Sequence, residues 1–141
     1  MEAWDYVNST VFILDDETLL LRTLSNALRD EDFRVLSAQR VTDGREVLAM
    51  DGEDVELMVL DVKLPDGSGL DLLEQQRKSG YSGPVIVMTA FDNPESERRC
   101  RQLSVDHYIR KPFDLGEILG LVQELTRGNG IRLGADGTGS R

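Results

Sequence analysis

Short apolar runs alternate along the chain with segments whose apolar residues recur at helical spacing. Five runs are candidates for buried strands, namely residues 11–14, 33–36, 57–60, 85–88 and 108–109, of which 33–36 is the weakest. Continuous apolar runs between helices are typical of a parallel sheet that is covered on both faces. The pattern therefore predicts five parallel strands in one sheet.

The segments between these runs predict five amphipathic helices. The first has Leu20, Leu24 and Leu28 on one face after a candidate N-cap at Thr18. The helices are expected to start at Thr18, near Thr42, after the turn formers of residues 65–69, at Asn93-Pro94 and at Leu115, and the last is expected to end near residues 127–128. Strands that alternate with helices in this way predict a doubly wound α/β domain.

Composition indicates one domain followed by a segment of a different kind. A chain of 141 residues with 40% hydrophobic residues supports a single core. Residues 128–141 contain five glycines and only two large apolar residues, Ile131 and Leu133, too few to offset the entropy lost on ordering. We therefore expect a domain over residues 10–127 and a flexible tail or linker over residues 128–141.

Charge and apolar content argue against several classes of partner. A formal net charge of −10 opposes binding to nucleic acid or to an anionic membrane. The single Cys100 cannot form an internal disulfide, and no apolar stretch approaches the ~20 residues of a transmembrane helix. Residues 1–6 lack the basic start and apolar core of a secretory signal. These features predict a cytoplasmic protein.

Polar residues follow four of the five predicted strands. Asp15 and Asp16 follow the first strand, Asp61 the third, Thr89 the fourth and Lys111 the fifth. The carboxyl ends of parallel strands share one crevice, so these side chains are expected to converge there. Three close carboxylates raise one another's pKa unless a cation compensates, and oxygen ligands favour Mg²⁺ or Mn²⁺ over zinc.

Such a site suits phosphoryl transfer to an aspartate. A carboxylate forms an acyl phosphate without a base to deprotonate it, which makes Asp61 the candidate nucleophile. Lys111 and Thr89 would hold the remaining phosphoryl oxygens, because positioning and charge neutralisation supply most of the acceleration in this reaction.

The ordered motifs of the chain resemble those of the receiver domain of bacterial two-component response regulators. They are Asp15-Asp16-Glu17, residues 61–69, Thr89-Ala90 and residues 108–113, and the resemblance covers roughly residues 10–127. It implies a flavodoxin-like fold with strand order 2-1-3-4-5. It also implies that a sensor histidine kinase or a histidine phosphotransfer protein donates the phosphoryl group, and that the domain catalyses only its own phosphorylation and dephosphorylation.

The same resemblance assigns roles to the acidic residues. Asp61 would be the phosphoacceptor. Asp16, Asp61 and the backbone carbonyl of Lys63 would bind Mg²⁺ directly, whereas Asp15 would act mainly through water.

Further implied roles concern the response to phosphorylation. Thr89 and Tyr108 would form a switch pair, and the Lys111-Pro112 peptide bond would be cis. The fourth helix, fifth strand and fifth helix would form the face that changes, through which a homodimer could assemble. One departure lies before the fifth strand, where Ser104-Val105 replaces the Gly-Ala that receivers usually carry.

Other functions fit the same residues less well. A phosphate cradle for flavin mononucleotide needs small residues with free backbone donors, and this chain has Asp15-Asp16-Glu17 there. An aspartyl-phosphate hydrolase of the haloacid dehalogenase type needs an aspartate two positions after its nucleophile, where this chain has Lys63. Two forms of receiver stay open, a stand-alone adaptor acting by protein contact and the receiver of a longer transcription regulator.

Ordinary structural roles are the competing interpretation for single residues. Asp15 and Asp16 could cap the first helix, since aspartate stabilises a helix N-terminus. His107 is expected to be a surface side chain, and Cys100 a buried or half-buried small residue. A solvated helical face is expected for Arg98, Arg99 and Arg101, with salt bridges to Asp106 or to an acidic residue of a second protomer as the alternative.

Overall fold

Five parallel strands form the central sheet of the protein. The computed structural model describes residues 9–90 and 93–134, with side chains through Thr126. The strands are β1 Thr10–Leu14, β2 Arg34–Ala38, β3 Val55–Asp61, β4 Val85–Thr89 and β5 His107–Arg110. They lie in the order β2-β1-β3-β4-β5, and every neighbouring pair is parallel. The predicted strand order is therefore confirmed.

Five helices connect the strands and cover both faces of the sheet. They are α1 Thr18–Asp30, α2 Val41–Asp51, α3 Gly69–Lys78, α4 Pro94–Gln102 and α5 Leu115–Gly134. A 3₁₀ turn at Gly52–Asp54 precedes β3, and a short antiparallel hairpin pairs Lys63–Leu64 with Gly67–Ser68 after it. This is the doubly wound, flavodoxin-like fold that the sequence predicts. None of the helices described is both long and apolar enough to cross a membrane.

Each face of the sheet has its own apolar core. Along β1, Phe12 and Leu14 belong to a cluster with residues of α2 and α3, whereas Val11 and Ile13 belong to a cluster with residues of α1 and α5. All four side chains are fully buried. Burying one aliphatic side chain contributes about 1.5–3 kcal/mol, so the central strands form a stable platform. That platform fixes the relative positions of the strand ends.

The start of α1 differs from the expectation. Thr18 is the first helical residue rather than the N-cap, and its hydroxyl accepts a hydrogen bond from Gln39 at 2.9 Å. Glu17 is the N-cap, and its backbone N–H donates to Oδ1 of Asp15 at 2.7 Å. The prediction of a Thr18 cap is wrong because the buried Asp15 carboxylate binds the amide that precedes the helix.

The end of α5 also differs from the expectation. The helix continues to Gly134, past the end predicted near residues 127–128. Glycine in a helix interior costs about 1 kcal/mol relative to alanine, which weakens a helix without ending it. Residues 135–141 of the predicted tail lie outside the described part of the chain, and the division of the chain at residue 127 stays a prediction.

Salt bridges tie α4 to α3. Arg99 is half-buried, and its guanidinium lies 3.0 Å from carboxylate oxygens of both Asp71 and Glu74. The expectation of a solvated arginine face holds for Arg98 and Arg101, which are exposed. It is wrong for Arg99, because α3 presents two carboxylates at that position.

The loop between α4 and β5 contains a left-handed residue. Ser104 has a φ of 60°, a conformation that favours glycine because it crowds a Cβ atom. Arg77 of α3 donates hydrogen bonds to the carbonyls of Leu103 and Ser104 at 3.0 and 3.2 Å. The backbone at Ser104 therefore gives a physical reason for the glycine that receivers usually carry there.

Candidate metal and phosphoryl site

Three aspartates converge at the carboxyl ends of β1 and β3. Asp15 and Asp16 directly follow β1, and Asp61 is the last residue of β3. One carboxylate oxygen from each residue lies within 4.8 Å of the other two. Asp15 and Asp61 are buried, whereas Asp16 is exposed. The fold thus brings together the three carboxylates that the sequence places at strand ends.

Lys111 reaches this cluster from the end of β5. Its Nζ donates to Oδ2 of Asp15 at 2.7 Å, to Oε1 of Glu17 at 2.5 Å and to Oδ2 of Asp61 at 3.0 Å. Its backbone N–H donates to the carbonyl of Thr89 at 2.8 Å, which joins the lysine to the end of β4. The Lys111-Pro112 peptide bond is cis, as the resemblance implies.

Burial and charge have opposite effects on the ionisation of these groups. Burial raises the pKa of Asp15 and of Asp61, and hydrogen bonds from Lys111 offset only part of the increase. Burial also disfavours the charged form of Lys111, but its hydrogen bonds to Asp15, Glu17 and Asp61 outweigh that effect and raise the pKa of the lysine. The lysine is therefore charged at neutral pH, while the ionised aspartates are only partly compensated.

The donor set fits a hard divalent cation. Every ligand atom that the three aspartates offer is a carboxylate oxygen, the kind of ligand that Mg²⁺ and Mn²⁺ prefer. One lysine does not neutralise three carboxylates, so a further positive charge would relieve the unfavourable burial of Asp15 and Asp61. The exposure of Asp16 leaves one side of the cluster open to the waters that Mg²⁺ usually keeps.

The cluster opens into a cleft with a volume of about 700 Å³. Lys63, Glu17 and Lys111 contribute charged groups to its wall, while apolar residues that include Leu20 and Phe113 line the remainder. Lys63 is therefore beside the acidic cluster, although its predicted role as a carbonyl ligand stays a prediction. A charged interior with apolar walls suits a small anionic group.

The loop after β3 folds tightly back on Asp61. The backbone N–H of Gly69 donates to the carbonyl of Val62 at 2.9 Å. A Cβ atom at position 69 would lie 2.0 Å from the backbone oxygen of Asp61, so only glycine fits this approach. The turn formers of residues 65–69 signal the turn in the sequence, but they do not reveal the contact.

Asp66 anchors the same loop to the start of α2. Its carboxylate accepts hydrogen bonds from the Thr42 hydroxyl at 2.6 Å and from the backbone N–H groups of Thr42 and Val41 at 3.0 and 2.8 Å. These bonds, the hydroxyl foremost, lower the pKa of Asp66 to about 2. Asp66 supplies the cap that the N-cap residue Arg40 does not provide. The sequence does not reveal this role, because Asp66 and its partners lie in separate segments of the chain.

The two predicted switch residues lie on neighbouring strands. Thr89 is fully buried at the end of β4, directly after Met88, which is in register with Asp61. Tyr108 of β5 is half-buried, is in register with Val87, and packs against the apolar cluster on the side of α2 and α3. Thr89 therefore stands near the acidic cluster and Tyr108 on the adjoining strand, while their switching roles stay predictions.

Two residues outside the cluster were expected to have structural roles. Cys100 is buried, as predicted, and burial raises the pKa of its thiol to about 11. The thiol is therefore protonated at neutral pH. His107 is half-buried within β5 rather than fully on the surface.

Comparisons with known proteins point to one family. A family model for the response regulator receiver domain matches residues 11–123. The probable transcriptional regulatory protein TcrX of Mycobacterium tuberculosis is 35% identical over 123 residues, which are 86% of this chain and 51% of that protein. The chain spans about half the length of the curated relatives it matches.

Solved structures of similar fold point to the same family. A CheY-like response regulator receiver domain protein from Methanospirillum hungatei aligns with a TM-score of 0.78 and 27% identity, covering 87% of this chain and 98% of that one. The BeF₃-activated receiver domain of DrrB, a Thermotoga maritima protein, aligns with a TM-score of 0.74 and 26% identity, covering 86% of this chain and 99% of that one.

Proposed function

The chain belongs to the response regulator receiver domain family, and on that premise we propose that it is a phosphorylation-dependent signalling switch. A sensor histidine kinase or a histidine phosphotransfer protein donates the phosphoryl group, and Asp61 accepts it. One observation carries this proposal: the Lys111 ammonium is held between the buried carboxylates of Asp15 and Asp61, at 2.7 and 3.0 Å. A fixed positive charge therefore lies beside the oxygen to which a phosphoryl group would be transferred.

The transfer needs few groups from the chain. A carboxylate oxygen of Asp61 attacks phosphorus, an O–P bond forms, and the N–P bond of the phosphohistidine breaks with its electron pair on the imidazole nitrogen. Lys111 and the hydroxyl of Thr89 hold the phosphoryl oxygens during this step. The domain catalyses only its own phosphorylation and dephosphorylation, because Lys63 stands where a hydrolase of outside substrates would need an acidic group.

The acidic cluster would hold a Mg²⁺ ion, or Mn²⁺ in its place. Asp16, Asp61 and the backbone carbonyl of Lys63 would bind it directly, with Asp15 acting mainly through water. When bound, the ion neutralises carboxylate charge and polarises a phosphoryl oxygen. The convergence of three carboxylate oxygens within 4.8 Å supports this assignment.

Phosphorylation would be read out on the face formed by α4, β5 and α5. Thr89 turns toward the phosphoryl oxygens and vacates space for the ring of Tyr108, a change that would alter contacts with a homodimer partner or target. The DrrB receiver was activated with BeF₃, so the same reagent suits this chain. With Mg²⁺ and beryllofluoride, NMR shift changes are expected to reach residues 98–108, and changes confined to the acidic cluster would contradict this switch.

The wider setting of the domain is inferred from its relatives. Several of them are transcriptional regulators about twice as long as the matched segment, which favours the receiver of a longer transcription regulator over a stand-alone adaptor. The chain itself, with a net charge of −10, is not expected to contact nucleic acid or an anionic membrane directly. A cytoplasmic location agrees with supply of the phosphoryl group by a histidine kinase.

Small-molecule phosphodonors test the proposal without knowledge of the kinase. Acetyl phosphate or phosphoramidate with Mg²⁺ is expected to add one phosphoryl group per chain. Chelation of Mg²⁺ or Lys111→Ala is expected to reduce the labelling strongly. Labelling that depends on neither the metal nor Lys111 would contradict the proposed site.

A further inference from the structure

Lys111 uses its full hydrogen-bonding capacity in this structure. An ammonium group has three N–H donors. Three carboxylate oxygens accept from it, on Asp15 at 2.7 Å, on Glu17 at 2.5 Å and on Asp61 at 3.0 Å. A phosphoryl oxygen that binds Lys111 must therefore displace one of these acceptors.

The three acceptors differ in how readily they can be displaced. The Asp15 side chain is 0% exposed, so losing its lysine would leave a buried charge unpaired. Asp61 is 7% exposed and is the residue on which the phosphoryl group forms. The Glu17 side chain is 60% exposed, and water can solvate its carboxylate after release. Glu17 is therefore the acceptor that exchanges at the lowest cost.

The position of Glu17 adds a second effect to this exchange. Glu17 is the N-cap residue of α1 and lines the same cleft as the acidic cluster, with its side chain 60% exposed. Its negative charge repels an anionic phosphodonor as well as occupying the lysine. Both effects act against entry of a phosphoryl group.

We propose that Glu17 is a positioning residue that holds Lys111 in the unphosphorylated protein and limits the rate at which Asp61 accepts a phosphoryl group. The inference rests on the proposed function, because it concerns the rate of that same transfer. In this account Glu17 sets how readily the switch responds to anionic donors. It does not take part in bond making, which needs only Asp61, the residues that hold the phosphoryl group and the metal.

Glu17→Gln is the direct test, because it keeps the size of the side chain and removes its charge. At saturating Mg²⁺, the rate constant for phosphorylation by acetyl phosphate is expected to rise about fivefold or more, the Boltzmann factor of one like-charge contact in a water-like dielectric. This increase in the rate constant is expected to shrink with added KCl, since salt screens exposed charges. It is also expected to be smaller with phosphoramidate, which is less anionic than acetyl phosphate. A purely structural role would produce neither dependence.

Glu53→Gln is the matched control. Glu53 is exposed in the turn before β3, at the opposite end of that strand from Asp61, and its substitution changes the net charge by the same amount. The rate constant for phosphorylation of Glu53→Gln by acetyl phosphate is expected to equal that of the wild type. If Glu17→Gln is unchanged or slower while the wild type is phosphorylated on Asp61, the inference fails and the proposed function stands. If Glu53→Gln accelerates equally, net charge explains the effect and the role of Glu17 is overturned. If the wild type is not phosphorylated on Asp61, both the inference about Glu17 and the proposed function fail.

Discussion

Nζ of Lys111 lies 2.7 Å from Oδ2 of Asp15, a carboxylate with no exposure to solvent. The lysine side chain is itself only 11% exposed, so the two charges meet largely away from water. Water screens such a pair weakly, and neither partner can find a substitute for the other in bulk solvent. Loss of either charge alone would therefore leave the other buried and uncompensated, which links the pair to stability as well as to the proposed chemistry.

Lys111→Met is expected to destabilise the metal-free protein at neutral pH by about 3 kcal/mol, because it leaves the buried Asp15 and Asp61 carboxylates uncompensated. Urea denaturation in the presence of a chelator measures the free energy of unfolding. Lys78→Met is a suitable control, since Lys78 is 75% exposed and its pair with Glu74 contributes little. Equal effects of the two substitutions would show that the Lys111 contacts are not stabilising.

Asp61→Asn is expected to stabilise the metal-free protein at neutral pH by on the order of 1 kcal/mol. Burial raises the pKa of Asp61, so its ionised form is less favourable in the folded than in the unfolded protein. This penalty is absent at a pH well below the ordinary aspartate pKa of about 3.9, where the carboxyl is protonated in both states, and it develops as the pH rises from that value through the raised pKa of the folded protein. Stability curves of both proteins against pH should therefore converge in acid and separate toward neutrality.

Magnesium supplies the control for the same substitution. The ion stabilises the folded wild type according to its concentration relative to its dissociation constant, and the variant has lost a proposed ligand. Mg²⁺ should therefore narrow or reverse the difference in melting temperature. A variant that melts lower than the wild type without metal, and gains as much from Mg²⁺, would place Asp61 outside the acidic cluster.

Gly69→Ala is expected to destabilise the protein by more than about 2 kcal/mol and to slow phosphorylation, because the added Cβ would lie 2.0 Å from the backbone oxygen of Asp61. Gly116→Ala, in α5, has no atom within 4 Å of the new methyl group and is expected to stabilise the helix by about 0.5–1 kcal/mol. Thermal melts of the two variants should shift in opposite directions. A tolerated Gly69→Ala would mean that the loop after β3 can relax.

The sequence predicts the carboxyl ends of the strands well, because the end of an apolar run and the start of a polar segment coincide there. Four of the five apolar runs lead to a polar residue of the site, and the parallel arrangement then requires Asp15, Asp61 and Lys111 to meet at one edge of the sheet. What escapes prediction is contact between distant segments that have no shared period. Glu17 bonds to Lys111 and Asp66 to Thr42 across long stretches of chain, and no local pattern identifies either pair.

Local sequence patterns also gave wrong predictions for two helix ends. A threonine before an apolar face predicted the cap of α1, but the position of Asp15 after a fully buried strand decided which group binds the free amide. The low helix propensity of glycine predicted that α5 ends near residues 127–128, yet the helix continues to Gly134. At the start of α1, tertiary context outweighs a local preference of about 1 kcal/mol, whereas at α5 the cost of glycine is too small to end the helix.

Ser104→Gly is expected to stabilise the protein by about 1 kcal/mol, because Ser104 has a φ of 60° and glycine adopts that conformation without steric cost. Ser79→Gly, at the C-cap of α3 with a φ of −85°, provides the contrast, since it should only add backbone freedom and destabilise slightly. Chemical denaturation distinguishes the two. A loss of stability in Ser104→Gly would show that the serine side chain contributes more than its backbone costs.

Intact-mass spectrometry after incubation with acetyl phosphate and Mg²⁺ tests the central claim most directly. Wild type and the control Asp43→Asn, which alters an exposed aspartate of α2 outside the cleft, are expected to gain the mass of one phosphoryl group. Asp61→Asn is expected to gain none, because the attacking carboxylate is absent. An undiminished adduct in Asp61→Asn would contradict the assignment of Asp61 as the phosphoacceptor.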